Sequence, residues 1–558
     1  MKALVLPLAL ALLAAGCATP AADLGKSNTA ALAPRVGLTE DLFTVGDFLP
    51  LDFPSFDGVS IHVDVQLPNG SGPFPVLVEY TPYSNTLSPT DEAWALGRML
   101  GADPLPNALA AFYVPKGYAV AVAHVRGSGQ SGGCFTTGGP EEAQDGYALV
   151  EFLADQPWSS GRVALMGTSY VGTTPISTAT TDPPHLTTIV PVSAVSEWYR
   201  YYMENGEPRF FGELPFGVVY TDQPIWAATG FMPKPRNPTG YDPQSAQCGL
   251  AQMQTAYAQD DYNEYWKARD YVKDLGNATA PMLYAHGFLD ENTPTSLVTD
   301  FFAAYPAEKR LWMQQHGHGV PASFERYHEY VHAWLDHFML DRDNGALDLP
   351  PVVLQDSRGQ YHVESDYPPR NASLALLHLG DGTLSWGPPE DSTLSYMDEP
   401  RSMDEFVGPR EGAFLQFDSA PLDADLHVTG APRIELVASS DKADTQWDVL
   451  LYDVDPAGSA SFVTRGYMDA RHGGDLAKGR DLTPGEERLY SWEMHGRDHH
   501  VAKGHVLRLI VVSTEEYVMP DVPGATNTIR IGADGSRLLL PVLPDARFTN
   551  EAPSLFGA

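Results

Sequence analysis

The 558-residue sequence has only three cysteines, Cys17, Cys134 and Cys248. Three thiols cannot staple a scaffold of this size or close a four-cysteine metal site, so stability must come from apolar burial. Positive charge is also scarce. Thirty-five Lys and Arg face 71 Asp and Glu, a formal net charge of −36, which argues against charge-driven binding to nucleic acid or to an anionic membrane surface. The acidic excess reads as a solubility adaptation. The apolar run over residues 3–15 is shorter than the roughly 20 residues of a permanent membrane helix. The sequence has no P-loop, dinucleotide fingerprint or cofactor-lysine motif, and no internal repeat. His495, His499, His500 and His505 are spaced irregularly for a zinc or copper site and read as surface histidines. Neither a cofactor nor a metal is expected.

What the N-terminus does contain points to export. Lys2 precedes the apolar run, and Leu13-Ala14-Ala15-Gly16-Cys17 is similar to a bacterial lipobox, in which the cysteine is lipidated after cleavage. Residues 1–16 are therefore expected to be a signal peptide and 17–44 a tether behind lipidated Cys17. The chain would then sit in the bacterial cell envelope; a cleaved signal peptide and secretion are the alternative. With Cys17 carrying lipid, Cys134 and Cys248 remain, and in an oxidising compartment the pair reads as one disulfide. Two buried free thiols are the other possibility.

Apolar residues make up 43% and aromatics 11% of the chain, the composition of a packed globular protein. Val59, Ile61, Val63, Val65 and Leu67 alternate with polar residues, which predicts a half-buried strand. Short apolar runs over 76–80, 118–123, 163–166, 188–192, 282–285 and 311–313 show little alternation, as strands of a mostly parallel sheet covered on both faces should. Helical spacing appears over 141–154 (Ala143, Tyr147, Val150, Leu153) and at Phe324, Tyr327, Val331, Trp334 and Phe338. Strands alternating with helices predict an α/β domain over 45–195 and 276–345. Residues 196–275, crowded with aromatics and prolines, read as an insertion capping the sheet. From 350 to 545, short strands with turn signals predict a separate β-sandwich.

The chemistry centres on Gly167-Thr168-Ser169-Tyr170-Val171-Gly172, which follows the apolar strand 163–166. A sharp strand-to-helix turn lifts a serine hydroxyl out of the sheet edge, and small neighbours are needed because strand and helix nearly collide there. Serine needs a base, and the base an orienting carboxylate. In the α/β-hydrolase order these follow later strands: Asp290 comes after 282–285, and His316 and His318 after 311–313.

Three further motifs carry a resemblance, Asp57-Gly58-Val59, Tyr80-Thr81-Pro82-Tyr83 and the turn Arg126-Gly127-Ser128-Gly129-Gln130-Ser131-Gly132-Gly133, together with the serine motif, whose second glycine sits one place later than in G-x-S-x-G. With them the chain resembles the X-prolyl dipeptidyl peptidase family, which includes cocaine-esterase-like and α-amino-acid ester hydrolases, over residues 57–540. His124 departs from it, standing where an Asp is common. The resemblance implies an α/β-hydrolase domain with a helical cap insertion, followed by a C-terminal jelly-roll β-sandwich. It implies Ser169 as nucleophile, Asp290 as acid and His318, rather than His316, as base, with the Tyr83 hydroxyl and the Tyr170 N–H as the oxyanion hole. The stretch from Ser196 to Gly206 and Asp290-Glu291-Asn292 resemble the proline-specific members. That makes Trp198 and Tyr201 candidate walls of a proline slot and Asn292 a candidate for a substrate carbonyl. For the substrate ammonium, Glu213 is the first candidate and Glu204 the second. The expected activity is release of N-terminal Xaa-Pro dipeptides. An esterase or acylase of the same family and a non-catalytic ligand-binding surface lipoprotein are the alternatives.

Overall fold

A computed structural model describes residues 38–83, 105–209, 255, 260–321, 324–399, 412–515, 518 and 524–543. Cys17, Glu213 and Cys248, with the lipid, ammonium and disulfide expectations that rest on them, lie outside the described residues.

Among the described residues, ten strands form the first sheet: β1 (Val45–Pro54), β2 (Ser60–Pro68), β3 (Phe74–Thr81), β4 (Ala119–His124), β5 (Ser159–Thr168), β6 (Leu186–Val192), then β9 (Met282–Gly287), β10 (Lys309–Gln314), β11 (Val352–Gln355) and β12 (Tyr361–Glu364). The small hairpin β7 (Met203–Glu204) and β8 (Glu207–Pro208) lies between β6 and β9 in sequence. The strand order is β1-β2-β4-β3-β5-β6-β9-β10-β11-β12. From β4 through β11 every pairing is parallel, and β1, β2 and β12 add antiparallel edges. All residues of β3, β4 and β9 are buried, which is why their sequences lack alternation. The predicted helices are present as Pro140–Ala154 and Phe324–Leu340. The second buries Tyr327, Tyr330, Val331 and Trp334, and the Trp334 indole N–H donates to Thr188 Oγ1 at 2.7 Å, fixing the helix to β6.

Three expectations need correction. The sandwich does not begin at 350: β11 pairs in parallel with β10, Leu311 opposite Val352, and β12 closes the same sheet. A strand this short, three apolar residues and Gln355, reads the same whether it extends one sheet or begins the next. The tether does not extend to 44, because buried Thr39 donates from its amide (2.6 Å) and hydroxyl (2.8 Å) to Asp336 Oδ2. His495 is not a surface residue but fully buried.

The described C-terminal strands, from Ser373–Leu379 to Arg537–Val542, form one continuous 13-stranded sheet. It folds over a core that includes Phe417, Leu436, Trp447, Leu509 and Leu538. A buried cluster ties it to the first sheet. His362 on β12 faces Asp498 Oδ2 at 2.9 Å, His427 faces Asp498 Oδ1 at 2.7 Å, and the Thr429 hydroxyl donates to Oδ2 at 2.8 Å. The other ring nitrogen of His362 lies 3.0 Å from Glu364.

Burial lowers the pKa of His362, but its two carboxylate neighbours reverse this and leave it raised. Burial raises that of Asp498, but the two imidazoles hold it well below the usual carboxylate range. A depressed acid stabilises the fold above its unfolded pKa of about 4, and a raised histidine stabilises it below its unfolded pKa of about 6.5. The clamp is therefore strongest between these values. Asp498→Asn should cost about 3 kcal/mol, the usual loss on breaking a buried pair. In thermal melts its deficit should be largest near pH 5.5 and narrow as pH rises through the folded value of His362. An equal deficit at every pH would contradict the clamp.

Candidate active site

The ends of β5, β6, β9 and β10 lie side by side at one edge of the parallel sheet, so residues far apart in sequence meet there. Ser169 occupies the turn from β5 to the helix Tyr170–Ala179, with φ +65° and ψ −127°. A non-glycine residue in that region is strained and persists only where its surroundings enforce it. Here the Ser169 amide donates to the Val192 carbonyl at 2.9 Å, and the Ser169 carbonyl accepts the amides of Gly172 and Thr173, each at 2.9 Å. A Cβ on Gly167 would stand 2.4 Å from Val171 Cγ1, and one on Gly172 2.5 Å from the Val192 carbonyl oxygen. The late glycine of the motif is thus the point where the helix touches β6. Pro175 lacks the N–H that would bond the Val171 carbonyl, and the Thr174 hydroxyl faces that carbonyl instead at 3.2 Å.

Asp290, after β9, is fully buried. Its Oδ2 receives His318 Nδ1 at 2.9 Å and the Thr293 hydroxyl at 2.7 Å. Its Oδ1 receives the amides of Asn292 at 3.0 Å and Thr293 at 2.8 Å. Burial alone would raise its pKa, but the His318 charge and these donors pull it well below the normal range. Burial also pulls His318 down, and the Asp290 carboxylate more than offsets this, so His318 ends above 6.5. The His318 loop is held by Ser193: the Gly319 amide donates to its Oγ at 3.3 Å, and that hydroxyl donates to the Gly319 carbonyl at 3.2 Å. His316 turns its Nδ1 to the Gly317 carbonyl at 2.7 Å. Fully buried His286 donates from Nε2 to the Thr293 carbonyl at 2.7 Å, and burial lowers its pKa to about 4, so it is neutral.

The Tyr170 amide opens the helix after Ser169 and points to the Tyr83 hydroxyl, 3.4 Å away. The Tyr83 hydroxyl oxygen thus accepts the Tyr170 N–H at a helix N-terminus, a place where negative charge is favoured. The Tyr170 ring is anchored at its far end: its hydroxyl donates to Glu142 Oε2 at 2.6 Å and accepts the Gly138 amide at 2.8 Å. Burial raises Glu142 to about 6 against these hydrogen bonds.

Trp198 and Tyr201 are both buried, ring centroids 5.5 Å apart and nearly perpendicular, and Trp198 packs on Tyr170 at 5.3 Å. The Tyr201 hydroxyl donates to Asn292 Oδ1 at 2.9 Å, which joins the aromatic segment to the Asp290 loop. Glu204 lies among them but is already committed. His495 Nε2 is 2.9 Å from both of its oxygens and Arg209 Nε is 3.5 Å away. This occupied carboxylate is not the free acceptor that an ammonium partner needs. Glu142, Ser193, Thr293 and Glu291 were not anticipated from the sequence. Only Thr293 and Glu291 carried a signal, their closeness to Asp290.

NMR titration of His318 should give a midpoint above 6.5. Asp290→Asn should bring it below, because burial then acts unopposed. An unchanged midpoint would show that the pair is not coupled.

The model of the family described as X-Pro dipeptidyl-peptidase (S15 family) matches residues 57–320. That of the X-Pro dipeptidyl-peptidase C-terminal non-catalytic domain matches 344–533. A putative Xaa-Pro dipeptidyl-peptidase of Bacillus cereus is 27% identical over 525 residues, covering 87% of each chain. Among solved structures, an aminopeptidase from a marine-sediment Thaumarchaeota archaeon superposes with a TM-score of 0.73 at 19% identity, over 94% of this chain and all of the other. A CocE/NonD family hydrolase of Staphylococcus aureus gives 0.72 at 20%, over 90% and 93%. At such identities the structures speak for the fold alone.

Proposed function

The chain belongs to the X-Pro dipeptidyl-peptidase (S15) family and is a serine hydrolase of the α/β-hydrolase fold, and on that premise we propose that it releases N-terminal Xaa-Pro dipeptides through Ser169. The observation that carries the reading is the Asp290–His318 pair at 2.9 Å, on the same sheet edge as the strained Ser169. Ser169 Oγ attacks the carbonyl carbon of the substrate proline as His318 takes the hydroxyl proton. The carbonyl oxygen becomes an oxyanion that accepts from the Tyr170 N–H and the Tyr83 hydroxyl. His318 then gives its proton to the leaving amine, the C–N bond breaks, and the dipeptide remains as an ester on Ser169. Water, deprotonated by the same imidazole, hydrolyses that ester. Asp290 stays ionised throughout and stabilises the imidazolium.

Specificity in this reading comes from the Trp198–Tyr201 walls for the proline ring and from Asn292 for a substrate carbonyl. Glu213 meets the terminal ammonium and so excludes internal peptide bonds. The lipobox-like run ending in Cys17 supports an envelope-anchored enzyme acting on peptides outside the cytoplasm.

Side-by-side assays of Xaa-Pro anilides and simple esters test the substrate class. The peptidase reading expects higher kcat/KM on the anilides, whereas activity confined to esters would make the chain an esterase of the same fold. His318→Ala should lose as much as Ser169→Ala, since members of such a triad act as a unit, while His316→Ala should keep most activity. Glu213→Gln should lower kcat/KM on anilides by roughly one to two powers of ten, the loss of one charge-assisted hydrogen bond. It should spare an ester that has no amine. Equal losses on both substrates would assign Glu213 a structural role.

A further inference from the structure

Glu291 stands between Asp290 and Asn292 in sequence, yet its side chain serves the other domain. Its carboxylate receives Arg497 Nη2 at 2.8 Å and lies 3.5 Å from Arg465 Nε and 3.7 Å from His495 Nδ1. All three cationic residues belong to the C-terminal sandwich and are at least 98% buried. Arg497 also donates to the Phe288 carbonyl, and its Nε donates to the Val463 carbonyl at 2.8 Å. The Thr295 hydroxyl donates to the Gly496 carbonyl at 2.9 Å. The sandwich thus grips the 288–295 loop at three points. From the cap side, Arg209 Nη2 donates to the Glu291 carbonyl at 2.6 Å and its Nη1 to the Tyr201 carbonyl at 3.3 Å. Glu204 completes the group through His495.

The local bonds of Asp290 fix its carboxylate only within residues 290–293. The Phe288 and Leu289 amides tie the start of the loop to the end of β10, at Gln314 and His316. The second half, which bears Asn292, leans on the sandwich. A guanidinium suits this task because its rigid planar fork fixes the directions in which it holds a carbonyl and a carboxylate, whereas an ammonium on a flexible stem sets no such geometry. The site is sensitive to such support, since a displacement of about 1 Å far from the chemistry can cost 100-fold in rate.

We propose that Glu291 and Arg497 are positioning residues of the hydrolase, a lock through which the C-terminal sandwich sets the place of Asp290 and Asn292. The proposal rests on the reading that Asp290 orients His318 and that Asn292 meets substrate.

The test compares Arg497→Met, Arg497→Lys and Glu291→Gln with the full-length wild type, on a Xaa-Pro anilide well below each variant's melting temperature. Arg497→Met should lower kcat/KM by roughly one to two powers of ten, with a lower kcat and a higher KM. Arg497→Lys should recover part of the loss, because the charge remains while the fork is gone. Glu291→Gln should lose both parameters in the same direction. In each variant the acid limb of the kcat/KM profile should move to lower pH as the hold of Asp290 on His318 slackens. A residue that only stabilises the fold would lower the melting temperature and leave that limb and kcat in place. Folded Arg497→Lys and Glu291→Gln proteins with wild-type kcat, KM and acid limb would overturn the lock, even if Arg497→Met failed to fold. Separately, Asp290→Asn or Ser169→Ala with undiminished hydrolysis would overturn the triad reading, whatever the lock variants did.

Discussion

The fully buried Asp290 carboxylate accepts four hydrogen bonds, and only one of them comes from His318. The other three fix the direction of that one. A buried carboxylate with unmet acceptors would cost several kcal/mol or take up a proton, and a protonated acid could not hold His318 as the tautomer a base requires. The Asn292 and Thr293 amides and the Thr293 hydroxyl keep it ionised at the price of a rigid turn. The turn places Asn292 beside Tyr201 and turns Glu291 toward the sandwich. His318, the aromatic segment and the C-terminal domain are all referred to this one group.

The parallel sheet supplies the rest of the geometry. β5, β6, β9 and β10 are neighbours in the ladder, so the loops after them share an edge without any special contact among their sequences. The strain at Ser169 is held by bonds to β6 and by two glycines at the closest approach of helix and strand. The Tyr170 amide needs no further device to face the Tyr83 hydroxyl, because the helix begins there and the Tyr170 ring is pinned below by Glu142.

Much of this was legible in the sequence, and the reason is local. Strands buried on both faces read as unbroken apolar runs, the serine turn requires glycines at set places, and Asp290 and His318 must follow strands in a given order. What was not legible depends on distant partners. Val352–Gln355 fell within the predicted sandwich because nothing in a short, largely apolar run says which sheet it extends. His495 looked like one of four surface histidines because Glu204, 291 residues away, takes up its ring. Glu204 looked available to an ammonium for the same reason. In a chain with 71 acidic residues, sequence alone cannot separate the carboxylates that hold the domains and the loop together, such as Glu204, Glu291 and Asp498, from the many that face solvent.

The central claim is that Ser169 carries the acyl group of a Xaa-Pro dipeptide. Incubation with a Xaa-Pro diaryl phosphonate, followed by peptide mapping by mass spectrometry, tests it directly. The account predicts a single phosphonate adduct on Ser169, formed faster than with a probe of the same leaving group but no proline, and suppressed by an Xaa-Pro dipeptide. An adduct on another residue, or none on folded protein, would contradict it.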